Sequence, residues 1–523
     1  MEKKKCYVTT PIYYASGAPM LGNSYTTVAC DVFARYSRMM NQDTYYLTGM
    51  DEHGQKIEDS ATKVGLDPKA YVDKVANETK ELWKNMKITH DGFIRTTDTH
   101  HVKVVQDIFE KLLANGDIYL GEYSGNYCVS CETFFTKTQL GEGDTCPDCG
   151  KPTTTVTEES YFLNLKKYEK KLLEYIEANP DCIVPTTRRN EVVSFIKGGL
   201  EDLCVSRTTL KWGIQIKSNP KHVIYVWIDA LANYLTALGY GTEDDSLYKK
   251  YWESNTNIYQ VIGKDILRFH AIYWPIMLMA LGVPLNFKLY VHGWILNRDG
   301  KMSKSRGNVV NPDDIINEYG TDTMRVYEMF MGDFSQAAPW SNKGVMGSRK
   351  FLDRVWKLQE IMTDSNDLTP ELERDINLAI KKVSEDIEKM KFNTAIASLM
   401  TLVNTFYAKG SITKGDMKVF LILLNPMAPH ITEEIWFANN FGGYIHEQKW
   451  PECDESKLVQ DEIEVPIQIN GKLKAVVKVP AEAEQDEIME VAKANEVIGE
   501  QLKDKNIVKV IFVKGRIFNI VAK

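Results

Sequence analysis

A chain of 523 residues is long enough for three or four domains, each with its own core. With 44% hydrophobic and 26% charged residues it has the composition of an ordinary soluble globular protein, and its net charge of -8 argues against a uniformly basic coat for nucleic acid. No run of about 18 uncharged apolar residues occurs, so no membrane span is expected, and no apolar core of a signal peptide follows the basic start "MEKKKCYVTT". Residues 500–523 form a local basic segment, with six Lys/Arg against two Asp/Glu, and phosphates respond to the nearby field.

In chain order, "KKKCYVTTPIYY" reads as a strand ending at Pro11. The overlapping stretch "YYASGAPMLGNSYTT", 13–27, looks like a phosphate-handling turn, with Gly17, Pro19 and Gly22, yet it contains no histidine, lysine or arginine. "SYTTVACDVFARYSRMMN" places Val28, Val32, Phe33 and Tyr36 on one helical face, and "DTYYLTGMDEHG" returns to a strand stopping at Gly49. Strand, glycine-rich turn, helix, strand is the unit of a parallel nucleotide-binding sheet, whose ligands lie at the carboxyl ends of the strands. A cysteine-bearing stretch, 119–167, comes next. "HVIYVWIDALANYLTALGY" and "NIYQVIGKDILRFHAIYWPIMLMALG" then each run from strand into helix, as the second half of the same sheet.

From about residue 350 the pattern is helical. "FNTAIASLMTLVNTFYAKG" and "GDMKVFLILLNPMAPHITEEIWF" suggest antiparallel helices, the second stopping before Pro426 and restarting after Pro429. Beyond 463, "EVPIQINGKLKAVVKVPA" reads as a hairpin turned at Asn470-Gly471 and "IVKVIFVKGRIFNIVA" as another, with a helix between them. The expected architecture is α/β: a split Rossmann-type parallel sheet with a zinc-knuckle insertion, followed by an α-helical bundle and a small C-terminal α+β domain. The expected boundaries are 1–115 and 211–295 for the two halves of the sheet domain and 116–210 for the insertion. A polar-loop region at 296–349, the bundle at 350–460 and the terminal domain at 461–523 follow.

Two motifs carry chemistry on their own terms. Cys128-x-x-Cys131 and Cys146-x-x-Cys149, fourteen residues apart, each form a tight knuckle, and four thiolates close a tetrahedral shell around one ion. With no position left for water, the expected ion is a structural Zn2+; two chance pairs or redox thiols are the plainer alternative. Nine cysteines, four of them clustered, fit a reducing compartment, hence a cytoplasmic location, better than a disulfide framework. In "DGKMSKSRGNVVNPDD", Lys301 and Lys304 stand three apart among small hydroxyl residues, which suits a triphosphate; a solvated basic loop is an equally good reading of those residues alone.

"PMLGN" and "KMSKS", in that order around a split sheet, resemble the two signatures of class I aminoacyl-tRNA synthetases. "VTTPIYYASGAPMLGNSYTT", "LTGMDEHGQKI", "YCVSCETFFT" with "CPDCGKP", "RRNEVVSFIKGGLEDL", "SRTTLKWGI", "YVWIDALANYLTALGY" and "VIGKDILRFHAIYWPIML" resemble the methionyl-tRNA synthetases, over nearly all of 6–305. That resemblance implies a methionine pocket of Ile12, Tyr14, Trp227, Ala230, Tyr234, Ile266 and His270, with Asp51 on the ammonium. A thioether favours aromatic edges, and a carboxylate suits an ammonium. Without the resemblance, the Trp and Tyr stripe and lone His270 would be read as core. It further implies ATP with Mg2+, bound by Gly22 and Asn23 of the first signature, by Gly263 and Asp265 at the ribose and by Gly293 beside the adenosine. Lys301, Lys304 and Asn23 would be catalytic, stabilising charge on the phosphates as the methionine carboxylate attacks.

The chain departs from that pattern twice. Where the first signature normally carries two histidines, it has Met20 and Asn23; the amide can donate a hydrogen bond, the thioether cannot. From about 306 onward, "LLNPMAPHITEEIW", "HEQKWPECDESKL" and "EVPIQINGKLKAVVKVPA" resemble leucyl-tRNA synthetases instead, so no anticodon-reading residue of the methionyl enzymes carries over. The expected activity is methionine-tRNA ligase, with ATP, methionine and tRNA (tRNA-Met) as partners, no membrane, and a monomer. A methionyl-like paralogue with altered or no charging, and a catalytically silent tRNA- or amino-acid-binding protein, stay open beside it.

Overall fold

The computed structural model describes residues 3–129, 133–135, 140–254, 256–297, 300–301, 310–458, 462–481, 483–503, 505–513 and 517–523. Its centre is a seven-stranded sheet of β1 (Lys5–Thr9), β2 (Tyr13–Tyr14), β3 (Asp43–Asp51), β4 (Gly92–Arg95), β5 (Ile183–Val184), β6 (Thr256–Gly263) and β7 (Phe287–His292). Every pairing is parallel, in the order β4-β3-β1-β6-β7-β5, with β2 pairing the far end of β3 beyond β1. Cys6, Tyr7 and Val8 are fully buried, as a central parallel strand covered on both faces requires. Strand order reverses between β1 and β6, and such a reversal opens a crevice at the carboxyl ends of the strands.

Local chemistry shifts three expected boundaries. Pro11 has no N–H to give the ladder, so the first strand ends at Thr9 and resumes as β2. The following helix, α1, runs Leu21–Met39 and so begins three residues ahead of Ser24. The Asn23 side-chain oxygen accepts the Met20 N–H at 2.8 Å, closing the first turn around residues read as a loop. β3 continues through Gly49 to Asp51: a Cβ on Gly49 would lie 2.1 Å from the Ile94 carbonyl oxygen, so glycine there allows close pairing with β4 rather than ending the strand.

The insertion is an antiparallel sheet in the order Thr133–Phe135, Ile118–Cys128, Thr154–Leu163, Leu203–Cys204. Its helices Glu169–Ala178 and Thr186–Lys197 send Leu172, Ile176, Val192 and Ile196 into the same apolar cluster as Ile258, Ile262 and Leu289 of the parallel sheet. Burying about 1.5–3 kcal/mol of transfer free energy per such side chain fixes the insertion to the sheet.

By compactness the chain divides into two units, Met1–Leu368 with Lys382–Pro451, and Thr369–Lys381 with Glu452–Lys523. In the first, helices Phe392–Lys409, Lys414–Leu424 and Pro429–Ala438 follow the parallel-sheet region, with the break at the two prolines as their missing N–H groups require. In the second, a four-stranded sheet orders Lys472–Pro480, Glu462–Ile469, Ile517–Ala522, Ile507–Val513, around a core that includes Ile467, Phe518 and Ile520. Asn470 and Gly471 take φ of 50° and 78°, the left-handed pair a two-residue hairpin turn needs. Two helices, Gln485–Ala494 and Glu496–Leu502, stand where one was expected, because Asn495 leaves the helical conformation and its side chain accepts the N–H groups of Val497 and Ile498. Among the described residues no helix is long and apolar enough to cross a membrane.

Candidate active site

A cavity of about 390 Å³ opens where the sheet order reverses. β1 hands it Pro11 and Ile12, β2 gives Tyr14, the end of β3 gives Asp51, and β6 and β7 end in Gly263 and in His292-Gly293 on its floor. Helix Val226–Thr236 supplies Trp227, Ala230 and Tyr234, three and four residues apart and therefore on one face. Asp265, Ile266 and His270 complete that side, and Met20, Gly22 and Asn23 stand at the α1 start.

The aromatic wall is held rigidly. Trp227 stacks on Phe269 with ring centroids 3.4 Å apart and planes 7° from parallel. His270 Nδ1 lies 3.0 Å from the Ile266 carbonyl, so Nδ1–H donates there and Nε2 accepts the Tyr234 hydroxyl at 2.8 Å. Burial lowers the His270 pKa to about 4. The imidazole is therefore neutral at physiological pH, with both nitrogens satisfied, and it lines an uncharged, polarizable space rather than a cationic one. Behind the wall, Asp229 joins His53 Nδ1 at 2.7 Å and His101 Nε2 at 2.8 Å, both buried, tying the wall helix to the segment after β3. Burial alone would raise the Asp229 pKa; the two imidazoles bring it below the usual range.

At the α1 start, Asn23 Oδ1 is occupied by the Met20 N–H, which turns the amide NH2 away from that contact as a donor. A Cβ on Gly22 would meet nothing within 4 Å, so the open space over the helix N-terminus is real. Gly293 has a different reason to be glycine: a Cβ there would fall 2.0 Å from the Gln336 carbonyl oxygen.

The family described as tRNA synthetases class I (M) matches residues 6–348, and the anticodon-binding domain of tRNA ligase matches 371–490. The chain belongs to the class I tRNA synthetases. It is 49% identical over 438 residues to the methionine–tRNA ligase of Enterococcus faecalis, covering 77% of this chain and 64% of that one, and 47% identical over 433 residues to that of Oceanobacillus iheyensis, covering 76% and 63%. The chain thus spans about 64% of the length of the curated relatives it matches. Among solved structures, Mycobacterium tuberculosis methionyl-tRNA synthetase in complex with methionyl-adenylate superposes with a TM-score of 0.75 at 32% identity, over 83% of this chain and 93% of that one. The Agrobacterium radiobacter K84 leucyl-tRNA synthetase, from its ternary complex with tRNA and LeuAMS, reaches a TM-score of 0.84 over 100% of this chain and 96% of that one at 18% identity, a likeness of fold alone.

In this class I synthetase the cavity brings together thirteen of the candidate binding and catalytic residues named from the sequence, from Ile12 to Gly293, together with Met20. Lys304 and the side chain of Lys301 lie outside the described residues; the Lys301 backbone pairs with Leu296 in a short hairpin. Residues that sequence reasoning passed over also line the cavity. His292 Nε2 sits 2.7 Å from the Thr26 hydroxyl and its Nδ1 2.7 Å from the Gly293 carbonyl, and Lys56 packs over the Tyr14 ring at 5.4 Å. The signal for both was nearby: His292 precedes Gly293 in "VHGW", and Lys56 stands five residues after Asp51 in "DEHGQKI".

Away from the cavity, the sulfurs of Cys128, Cys146 and Cys149 lie within 4.8 Å of one another, with Cys128 and Cys149 at 3.5 Å. Thiolates about 2.3 Å from a shared tetrahedral ion stand about 3.8 Å apart, so these three fit such an ion. Cys131 lies outside the described residues.

One buried acid also abuts α1. Glu328, from helix Thr321–Phe330, accepts the Ser24 hydroxyl at 2.6 Å, and among the described residues its Oε2 has no hydrogen-bond partner. Ser24 also points at the Leu21 carbonyl, 3.0 Å away. Its single hydroxyl hydrogen serves one acceptor at a time, so a proton on Glu328 satisfies the other contact. Burial raises the Glu328 pKa to about 8, against the lowering effects of Ser24 and Arg325. A folded-state value above the unfolded one means that stability is fully present below about pH 4.5 and is lost as pH rises toward 8. Glu328→Gln should flatten that decline, worth on the order of a few kcal/mol; urea melts from pH 5 to 9 check it, and parallel curves for both proteins would refute the neutral acid.

Proposed function

We propose that the chain is a methionine–tRNA ligase, which activates methionine with ATP to methionyl-adenylate and transfers it to tRNA. The observation that carries this reading is the cavity at the sheet reversal, which is lined by aromatic side chains, a neutral imidazole, glycines and the start of α1. Methionine's side chain would lie among Ile12, Tyr14, Trp227, Ala230, Tyr234, Ile266 and His270, where a neutral imidazole and aromatic edges suit a thioether. Asp51 would hold the ammonium. Gly263 and Asp265 would meet the ribose and Gly293 the adenosine.

In the reaction a carboxylate oxygen of methionine attacks the α-phosphorus, a new O–P bond forms, and pyrophosphate leaves with the electron pair of the broken P–O bond. The protein's part is to align the two reactants and to stabilise the leaving charge. The Asn23 amide and the N–H groups at the α1 start would serve the phosphates, and Lys301 and Lys304 the pyrophosphate, with Mg2+ accompanying ATP. Transfer to tRNA-Met, a cytoplasmic location and a monomeric state complete the reading. Met20, which offers no donor, favours one second reading: a methionyl-like paralogue that makes the adenylate but charges an altered acceptor or none. Pyrophosphate exchange across a panel of amino acids, followed by charging of total tRNA, tests both. Methionine-dependent exchange with charging is expected; exchange without charging selects the paralogue, and neither overturns the reading.

Cys128, Cys131, Cys146 and Cys149 would hold a structural Zn2+, which when bound cross-links the knuckle. Purified protein should contain one equivalent of zinc by elemental analysis. Cys146→Ser should lose it and melt at lower temperature; full zinc retention in that variant would remove the cysteines from the site.

A further inference from the structure

Apart from Lys301 and Lys304, proposed above for the pyrophosphate, the described cavity wall carries more acidic than basic side chains. Among the described lining residues, Asp51 and Asp265 are the carboxylates and Lys56 is the one side chain with a full positive charge. The two lining imidazoles add none, because burial lowers the pKa of both His270 and His292. Making an acyl-adenylate forces a carboxylate onto a phosphate, and two anions repel strongly in a crevice of low dielectric. A hydrogen-bond donor could relieve that repulsion from position 20, but Met20 has none to give.

Lys56 is built for the task by the same short segment that supplies Asp51. β3 ends at Asp51, Gly54 turns the chain with φ of 116°, and helix Gln55–Lys63 starts at once, with Lys56 as its second residue. Its Nζ stands 5.4 Å from the centre of the Tyr14 ring, a cation–π distance. That holds the ammonium at the Tyr14 end of the cavity. Tyr14 is paired with Asp51 across β2 and β3, so an amino acid with its ammonium on Asp51 would bring its carboxylate to this same end.

We infer that Lys56 is a catalytic residue of methionine activation: its ammonium neutralises the methionine carboxylate and the α-phosphate as the O–P bond forms and pyrophosphate departs, and it carries part of the charge stabilisation that methionine at position 20 cannot give. This rests on the methionine-activating reading above. The plainer role is packing, in which the aliphatic stem of Lys56 steadies Tyr14 and the charge is idle. Lys56→Met separates the two, since it keeps an unbranched apolar stem and removes the charge.

The experiment is methionine-dependent ATP–pyrophosphate exchange on the full chain, with kcat and KM measured separately for wild type, Lys56→Met, Met20→His and the double variant, each checked by thermal melting. Lys56→Met should lower kcat by roughly tenfold to a hundredfold while KM for methionine moves by less than about threefold. In the Met20→His background the same substitution should cost at least about threefold less, as expected for two groups sharing one task. A kcat within about threefold of wild type, a loss confined to KM, or an equal penalty in both backgrounds overturns the inference. Absence of exchange in the wild type overturns the parent reading instead, before any variant is compared.

Discussion

Met20→His is expected to raise kcat for methionine-dependent ATP–pyrophosphate exchange by roughly tenfold to a hundredfold, since one preorganised donor to a transition-state oxygen is typically worth a factor of that order or more. The geometry makes the substitution informative. Met20 lies immediately before α1, its N–H is already tied to Asn23 Oδ1 at 2.8 Å, and its side chain lines the cavity. An imidazole in its place would add a donor without disturbing the cap, because the backbone contact does not use the side chain. Met20→Ala gives the matching control: a thioether that donates nothing should be replaceable with little change in kcat. Wild-type rate or slower in Met20→His would mean that the α1 N–H groups, Asn23 and the lysines already stabilise the departing charge fully, and that the helix start tolerates no ring.

What could be read from the sequence was what is written locally. The strand, turn and helix periodicity of residues 5–51 announces a parallel sheet, and its carboxyl end is where the cavity lies. The break at Pro426 and Pro429 and the Asn470-Gly471 turn follow from single-residue backbone chemistry. The misplaced start of α1 came from treating Gly22 and Asn23 as turn residues, when a side-chain oxygen one turn along makes them helical. Lys56 and His292 were missed for another reason. Each lies within five residues of a position already singled out, but what marks them, a ring under the ammonium and a hydroxyl at the imidazole, comes from segments brought in by the fold. Glu328 is the extreme case: it meets Ser24 across 304 positions of sequence, and no periodicity relates two such residues. The glycine at 293 teaches the converse, since a position that resemblance assigns to adenosine is also required to be glycine by the Gln336 carbonyl.

Arg325→Met is expected to remove about 3–5 kcal/mol of stability, the usual cost of breaking one side of a buried ion pair. Arg325 is fully buried, and its Nη2 donates to Asp31 Oδ2 at 2.7 Å and to the Pro426 carbonyl at 2.7 Å, while Nη1 reaches the Met86 carbonyl at 3.1 Å and Nε the Met427 carbonyl at 3.3 Å. One guanidinium thus joins α1, the segment before β4, helix Thr321–Phe330 and the proline break, and methionine, though similar in length, would leave three carbonyls and a carboxylate oxygen without that donor. Lysine keeps the charge but not the planar fork, so Arg325→Lys should fall between the two. Burial alone would raise the pKa of Asp31; the charges of Arg35 and Arg325 and the Thr89 hydroxyl hold it well below the ordinary carboxylate range. A depressed folded value places this contribution above the unfolded pKa near 4 and removes it as the solution is acidified. Wild type should therefore lose stability on acidification below pH 4 more steeply than Arg325→Met, whose Asp31 keeps only Arg35 and Thr89. Urea melts at pH 3 to 7 on the three proteins measure both effects. A loss under about 1 kcal/mol at pH 7 would mean that water or a rearranged Arg35 takes over the four contacts, and that this arginine is not what fixes α1 against the helix behind it.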